Sequence, residues 1–504
     1  GDHEVEMHAI LAEYGLPYEF PDHVLAAAAA IPREVPAEEL ARRRDFRDVT
    51  TLTIDPVDAK DFDDALSLRK LPSGNWEVGV HIADVTHYLQ PGTVLDEEAR
   101  QRATSVYLVD RTIPMLPEVL SNDLCSLRPN EDRLAFSAVF EMDAQASIKK
   151  EWFGRTVIHS DRRFAYHEAQ ERIETGKGEY AEEVRTLQAL AEKLRSRRFK
   201  AGGIDFNTEE VKFELDETGK PLRVVIKRML EANRLIEDFM LLANVRVSRY
   251  LAKPRGGEGK LEEATRTAVY RIHDRPDPEK LRQLRTFVAK FGLEMPKINP
   301  TNAESALRHL LQAAAGTNAE NVVKTMSIRS MAKAEYSTQN IGHYGLAFPF
   351  YTHFTSPIRR YPDVLVHRLL QQYIDGEKSA SPGPLQGICQ HSSNMEKRAA
   401  EAERASIKYK QVEFLMTRLG ETFHGIINGV VPKGIFVEIE ENKCEGFVPK
   451  DGLPDDYYVY DEDRQALIGA RHGGNYVMGE RIVVRVVAAD LAKRQLEFDV
   501  PEAP

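Results

Sequence analysis

From about residue 46 the chain alternates apolar and polar positions with a period of two. Thr51-Leu52-Thr53-Ile54 and Trp76-Glu77-Val78-Gly79-Val80-His81-Ile82 therefore read as strands, supported by their β-branched content. Farther on the period becomes helical. Residues 181–199 predict one helix, and Glu231 to Val245 another, with Leu235, Ile236, Phe239, Met240 and Ala243 on one apolar face. Residues 303–335 and 395–418 carry the same pattern. Strands and helices mix without a regular βαβ rhythm, which predicts an α+β fold. Past Leu419-Gly420 the chain breaks into short strands: His424-Gly425-Ile426-Ile427, Gly434-Ile435-Phe436-Val437-Glu438-Ile439, Gly446-Phe447-Val448 and 481–487. About 80 residues of this texture predict a small barrel. Ahead of the first strand, Pro17, Pro21, Pro32 and Pro36 punctuate a stretch with helical spacing at Glu4 to Leu11 and an alanine run at 26–30. That stretch reads as a short helix pair or a partly ordered linker. The expected division is a lead-in over 1–45, a main mixed α/β domain over 46–418 and a barrel over 420–500.

Composition narrows the class. A chain of 504 residues exceeds one small core, and 42% hydrophobic with 29% charged residues is ordinary for a soluble protein. No apolar run approaches the roughly 18 residues of a membrane span, so no membrane partner is expected. The start, Gly1-Asp2-His3-Glu4, does not read as a secretory signal. Cys125, Cys389 and Cys444 lie far apart and read as reduced, buried thiols, which fits a cytoplasmic location. The formal charge of -11 argues weakly against a nucleic-acid partner, although binding depends on where positive charge is placed.

The strongest chemical signal is Thr53-Ile54-Asp55-Pro56-Val57-Asp58-Ala59-Lys60-Asp61-Phe62-Asp63-Asp64-Ala65-Leu66, with five aspartates between two strand-like flanks. In an extended chain Asp61 and Asp63 point the same way. Pro56 bars its own stretch from a central strand and predicts a loop that folds back. Two carboxylates about 4 Å apart repel by about 4 kcal/mol at an effective dielectric of about 20. A hard divalent cation with oxygen ligands removes that repulsion, and such ions activate water in phosphodiester cleavage. A calcium loop is excluded, because Lys60 and Leu66 stand where an EF-hand needs glycine and glutamate. A solvated acidic turn stays open. A second segment, His353-Phe354-Thr355-Ser356-Pro357-Ile358-Arg359-Arg360-Tyr361-Pro362-Asp363, places two arginines after a Ser-Pro turn, where a guanidinium can meet phosphate or simply form a surface ion pair.

Together with Ala103-Thr104-Ser105-Val106-Tyr107-Leu108, Ile113 to Asn122 and Gly202-Gly203-Ile204-Asp205-Phe206, in this order, these segments resemble the ribonuclease II/ribonuclease R (RNB) family, most nearly its bacterial ribonuclease R branch. The resemblance covers nearly the whole chain. It implies an RNB catalytic domain with a channel for single-stranded RNA and a C-terminal S1-type OB-fold. It implies a hydrolytic 3′-to-5′ exoribonuclease that uses one or two Mg²⁺ or Mn²⁺ ions and releases nucleoside 5′-monophosphates, with no nucleotide cofactor. By the same resemblance Asp55, Asp61, Asp63 and Asp64 surround the metal, with Asp63, Asp64 and Arg359 catalytic. Tyr107 and Phe206 stack on bases near the 3′ end, and Glu237 lies near the channel end. A monomer is expected.

In the barrel, Phe423, Phe436 and Phe447 are candidate stacking residues, and Lys433 and Lys450 candidate phosphate contacts. Pro449 stands where such domains often have a histidine. Family members usually carry cold-shock-type domains before the catalytic domain, and this sequence starts at what resembles the linker after them. Two other readings compete: an RNA-binding protein without catalysis, which loss of a ligand aspartate or of Arg359 would favour, and a phosphorolytic exonuclease. Pro254-Arg255-Gly256-Gly257-Glu258-Gly259-Lys260-Leu261 fails the phosphate-loop pattern at its first and last positions and reads as a surface turn. His81, His87, His343, His353 and His367 lack zinc spacing and read as structural or substrate-facing.

Overall fold

The structure is a computed structural model that describes residues 2–206, 209–253, 266–299, 301–454 and 456–502; the glycine-rich stretch 254–261 lies outside them. Its centre is a mixed sheet. The strands are β1 (Arg44–Asp45), β2 (Thr51–Asp55), β3 (Asp64–Lys70) and β4 (Trp76–Ala83), then a small separate ribbon of β5 (Val106–Tyr107) and β6 (Thr112–Ile113), then β7 (Asp132–Met142), β8 (Ile148–His159) and β9 (Arg162–Ala165). Among the described residues the sheet has seven strands, in the order β1-β8-β7-β4-β3-β2-β9. The β1–β8 and β2–β9 pairs are parallel and the remaining neighbours antiparallel. Central β4 is buried along almost its whole length, so even its polar residues Glu77 and His81 are enclosed, as in a strand covered on both faces.

One polar ladder crosses this core. His81 bonds Ser137 Oγ at 2.6 Å and Ser67 Oγ at 2.8 Å, and Ser137 bonds Thr156 at 2.6 Å. Burial holds the imidazole neutral, its pKa pushed down to about 3. Gly79 makes room for it, since a Cβ there would fall 2.4 Å from His81 Nε2. The structural reading of His81 follows from these contacts.

Helices Glu231–Ala252 and Tyr361–Ile374 pack against each other and onto β4 and β8. The lead-in forms three helices, Asp2–Glu13, Asp22–Ala29 and Ala37–Arg42. Pro21 and Pro36 are the capping residues that open the second and third, so these prolines start helices and do not mark a linker. Met7, Ile10, Leu11, Leu16, Val24 and Ala28 join the main core.

The pattern over 303–335 resolves into Ala303–Ala314 and Glu320–Ser330. With Pro278–Ala289, capped by Asp277, these helices share a second core with the C-terminal barrel. The barrel is closed, built from Thr422–Val431, Gly434–Ile439, Glu445–Pro449, Gln495–Asp499 and Arg481–Asp490. A three-stranded sheet (Tyr458–Asp461, Ala466–Gly469, Asn475–Val477) is inserted in it. The helix predicted over 395–418 begins earlier and spans Pro382–Met416. Its 35 residues reach about 50 Å and connect the two cores. The fold is α+β, as the sequence pattern predicts.

Candidate active site

The aspartates sit where β2 ends and β3 begins. Asp55 is the last residue of β2 and Asp64 the first of β3, joined by the loop that Pro56 predicts. The loop is held from both sides. Arg163, on β9, donates to the carbonyls of Pro56 and, at 3.1 Å, Val57, and its guanidinium lies 5.3 Å from the Phe62 ring centroid. Ser126 Oγ donates to the Lys60 carbonyl at 2.6 Å and accepts from the Phe62 N–H at 3.0 Å. Leu127 N–H donates to the Phe62 carbonyl at 2.9 Å. Neither Arg163 nor Ser126 carries a sequence signal that marks it for this work. Asp58 lies at the exposed tip of the loop.

The carboxylates inside the loop are electrostatically unsettled. Burial, then the neighbouring Asp64 carboxylate, raises Asp55 well above the usual carboxylate range. Burial raises Asp63 likewise, against the pull of Arg359, and brings Asp64 up to about 6. Asp61 rises for the same first reason. Oδ2 of Asp55 and Oδ2 of Asp64 are both buried and lack any hydrogen-bond partner. Orphaned buried oxygens of this kind cost free energy unless something binds them. No three acidic, histidine or cysteine side chains among the described residues form a ready-made cage. An ion such as Mg²⁺ does not need one, because it typically takes one or two carboxylates and fills its remaining positions with water and substrate phosphate. Asp55 and Asp64 fit that demand. Tyr166, at the start of the helix Tyr166–Thr175, lies within electrostatic reach of both, a placement with no signal in the sequence.

Arg359 comes to this cluster on a distant segment, whose Ile358 is 295 residues from Asp63. The Ile358 N–H donates to Asp63 Oδ1 at 3.1 Å, and Arg359 Nε stands 3.9 Å from Asp63 Oδ2. Its Nη2 donates to Ser356 Oγ at 3.0 Å, and the side chain keeps 42% exposure. The second arginine differs: Arg360 is turned inward and donates to Asp363 Oδ2 at 2.8 Å, the oxygen that also accepts the Ser356 N–H. Tyr107 is brought alongside by backbone bonds. Ser105 N–H donates to the Arg359 carbonyl at 3.0 Å, and Tyr361 N–H to the Ala103 carbonyl at 2.8 Å. Ala103 closes the preceding helix in the left-handed region, φ 62°, which costs an alanine about 1–2 kcal/mol. Such strain persists where surrounding structure imposes it. The Tyr107 ring stays partly exposed, with its hydroxyl pushed up to about 12 by burial.

Phe206 and Glu237 share a pocket of about 240 Å³ with Arg195, Arg198, Met229 and Arg234. Its floor is ion-paired: Arg195 donates to Asp238 Oδ2 at 3.1 Å and forms a fork with Glu231. Tyr107 and Phe206 therefore occupy different parts of the site, the first beside Arg359 and the second beside Glu237.

On the barrel, strand parity separates the three phenylalanines. Phe436 and Phe447 are directly opposed on neighbouring strands, half-buried, with ring centroids 5.0 Å apart. A Cβ on Gly434 would fall 2.7 Å from Phe447 Cζ, so this glycine lets the Phe447 ring lie close to the backbone. Phe423 is corrected: only 8% exposed, it points into the barrel core and is not a stacking residue. Lys450 is also engaged, donating to the Tyr458 carbonyl at 3.0 Å, whereas Lys433 is exposed.

Comparison with known proteins agrees with this architecture. Residues 43–376 match the family model of the RNB domain, and residues 417–498 that of the S1 RNA binding domain. The chain is 38% identical over 507 residues to ribonuclease R of Aquifex aeolicus, covering 99% of this chain and 70% of that protein. It is 35% identical to ribonuclease R of Escherichia coli, covering 97% of this chain and 61% of that one. Among solved structures it is similar to Mycoplasma genitalium RNase R in complex with ribose-methylated single-stranded RNA, with a TM-score of 0.90 and 27% identity, covering 99% of this chain and 78% of the other. A yeast pseudonuclease shares the fold at TM-score 0.73 and 22% identity, covering 92% of this chain and 58% of that one.

Proposed function

Because the chain belongs to the ribonuclease R family of RNB-domain exoribonucleases, we propose that it hydrolyses single-stranded RNA stepwise from the 3′ end and releases nucleoside 5′-monophosphates. The observation that carries this reading is the pair of buried, unpartnered oxygens on Asp55 and Asp64, set beside an Asp63 already engaged by Ile358 and Arg359. A protein that only bound RNA would gain nothing from those oxygens, and removing them would stabilise it.

Asp55 and Asp64, with Asp61 and Asp63 beside them, would hold one or two Mg²⁺ or Mn²⁺ ions, which supply Lewis-acid stabilisation and an activated water when bound. Arg359 presents an exposed guanidinium toward the same place and pairs there with an anionic oxygen of the scissile phosphate. Asp63 orients Arg359 and the Ile358 peptide. Tyr107 offers a ring face to a base near the 3′ end, Phe206 offers another in the neighbouring pocket, and stacking of this kind accepts any base. Phe436 and Phe447 serve the strand farther out. The protein acts as a cytoplasmic monomer, without a nucleotide cofactor.

A short RNA, labelled at its 5′ end to follow shortening and in a second sample at its internal phosphates to identify the released nucleotides, is incubated with the protein, with Mg²⁺ and with chelator, and tests the reading. A ladder that shortens from the 3′ end, stops with chelator and yields monophosphates is expected. Diphosphate products that require added phosphate would replace hydrolysis by phosphorolysis, and intact RNA under all conditions would leave a binding protein.

A further inference from the structure

The hairpin Glu210–Leu215 with Pro221–Lys227 has no assigned part in this chemistry. Its position is specific. The chain enters it shortly after Phe206 and leaves it at Lys227, two residues before Met229, and both Phe206 and Met229 line the Glu237 pocket. One face packs inward, with Phe213 6.0 Å from Phe414 between ring centroids. The turn is fixed by Asp216, whose Oδ1 accepts from the Thr218 and Lys220 N–H groups at 2.8 and 3.0 Å, and by buried Lys410, which donates to the Gly219 carbonyl.

The other face is charged. Glu210 lies opposite Lys227 in register, and Lys212 is two residues from Glu210 on the same face. Lys212 Nζ is 4.0 Å from Glu210 Oε1. The Lys212 and Lys227 ammonium groups also meet each other; burial and this neighbour pull Lys227 below the usual lysine range. Asp58, the tip of the aspartate loop, is within electrostatic reach of Lys227, and Glu403 of the long helix within reach of Glu210 and Lys212. The two lysines thus share one face of a hairpin whose ends lead directly to Phe206 and Met229 of the pocket, with Asp58 of the aspartate loop within electrostatic reach of Lys227.

We propose that Lys212 and Lys227 form a phosphate-binding pair that grips the RNA backbone between the aspartate cluster and the Phe206 pocket, exchanging the Glu210 carboxylate beside them for RNA phosphate. The inference rests on the exoribonuclease reading above. Like charges held together are costly, and an anion between them removes the cost. Phosphates bound by lysine release counterions, which makes the interaction readable from salt dependence.

The test is the affinity of the whole chain for ribose-methylated single-stranded RNA, measured by fluorescence anisotropy across a range of salt with chelator present. It compares the parent with Lys212→Gln/Lys227→Gln and Lys212→Arg/Lys227→Arg. In the glutamine variant the slope of log Kd against log salt should fall by about 1.4, roughly 0.7 for each single-strand phosphate that is no longer neutralised. Its Kd at moderate salt should rise about tenfold, and the arginine variant should keep the parental slope. An unchanged slope in the glutamine variant overturns the pair while leaving the exoribonuclease reading intact. An equal fall in the arginine variant also overturns it, because the effect would then come from hairpin packing. A parent that neither binds nor cuts RNA removes the reading on which the pair depends.

Discussion

Arg359 Nε stands 3.9 Å from Asp63 Oδ2 while the residue before it, Ile358, donates its N–H to the other oxygen of the same carboxylate at 3.1 Å. One buried aspartate thus fixes both the peptide and the side chain that approach the cluster. Arg359→Ala should slow single-turnover cleavage by about a hundredfold or more, the scale expected when one positioned donor to a developing charge is removed. RNA affinity should change far less. A rate within about threefold of the parent, well inside the 1.36 kcal/mol of one decade, would take Arg359 out of the reaction.

Asp64→Asn keeps the shape of the side chain and removes a charge. Cleavage should fall by roughly a thousandfold or more, since weakened metal capture costs several kcal/mol and each 1.36 kcal/mol is a decade in rate. RNA binding should survive or tighten, because repulsion with phosphate is reduced. Anisotropy and a single-turnover gel on the same variant separate the two, and near-parental cleavage would undo the assignment of the whole cluster.

The pH dependence of stability has a definite sign. Asp64 titrates near 6 in the folded protein against an ordinary value of 3.8, through burial. The folded state therefore holds this proton where the unfolded chain has released it. Stability from this group is present at low pH and is lost as pH rises from about 4 through 6. Melting curves with chelator should show this loss. Mg²⁺ should raise Tm more at about pH 7.5 than at about pH 5, because the ligand form is the deprotonated one. Equal Mg²⁺ shifts at both pH values would contradict a carboxylate metal site.

The barrel phenylalanines should divide by face. Phe436→Ala with Phe447→Ala should weaken RNA binding by about 1–3 kcal/mol for each base unstacked, with cleavage of bound RNA affected far less. Phe423→Ala should instead lower stability by about 3–5 kcal/mol, the usual cost of emptying a core phenylalanine site. Binding and thermal melts on both variants decide this, and the reverse assignment would mean that the strand faces are misjudged.

Tyr107→Ala should lengthen the limit product or slow the last cuts, since a single ring matters most when few nucleotides remain. An unchanged ladder would make Tyr107 a packing residue only.

How much of this is legible in the sequence depends on range. The flanking strands of the aspartate loop and the turn at Pro56 follow from local pattern, because alternation and proline geometry act over a few residues. The cluster of aspartates is readable locally too, but which of them surround a metal comes only from the family resemblance. Ser126, Arg163 and Tyr166 are not readable: each meets the loop through tertiary packing, and nothing in its immediate neighbourhood distinguishes it from an ordinary serine, arginine or tyrosine. The two arginines illustrate the limit within one motif: local pattern leaves them equivalent, the family resemblance picks Arg359, and the fold shows Arg359 beside Asp63 and Arg360 turned inward to Asp363. Phe423 is misassigned by sequence pattern for want of a face. Phe423 shares the buried face with Gly425 and Ile427, and which of the two faces turns inward is settled only when the barrel closes.

The second core has a structural consequence. Val323, Leu307 and Phe287 of the helices are packed in one cluster with Val437, Val484 and Phe498 of the barrel. Arg329 Nη2 donates to the Asn428 carbonyl at 2.7 Å, and a Cβ on Gly479 would fall 2.8 Å from Val322 Cγ2. The helices and the barrel thereby share one hydrophobic interior, which the long helix and the Arg494–Glu13 ion pair join to the main core. Cutting the chain near residue 420 would therefore lay bare one side of the hydrophobic interior that the three helices share with the barrel.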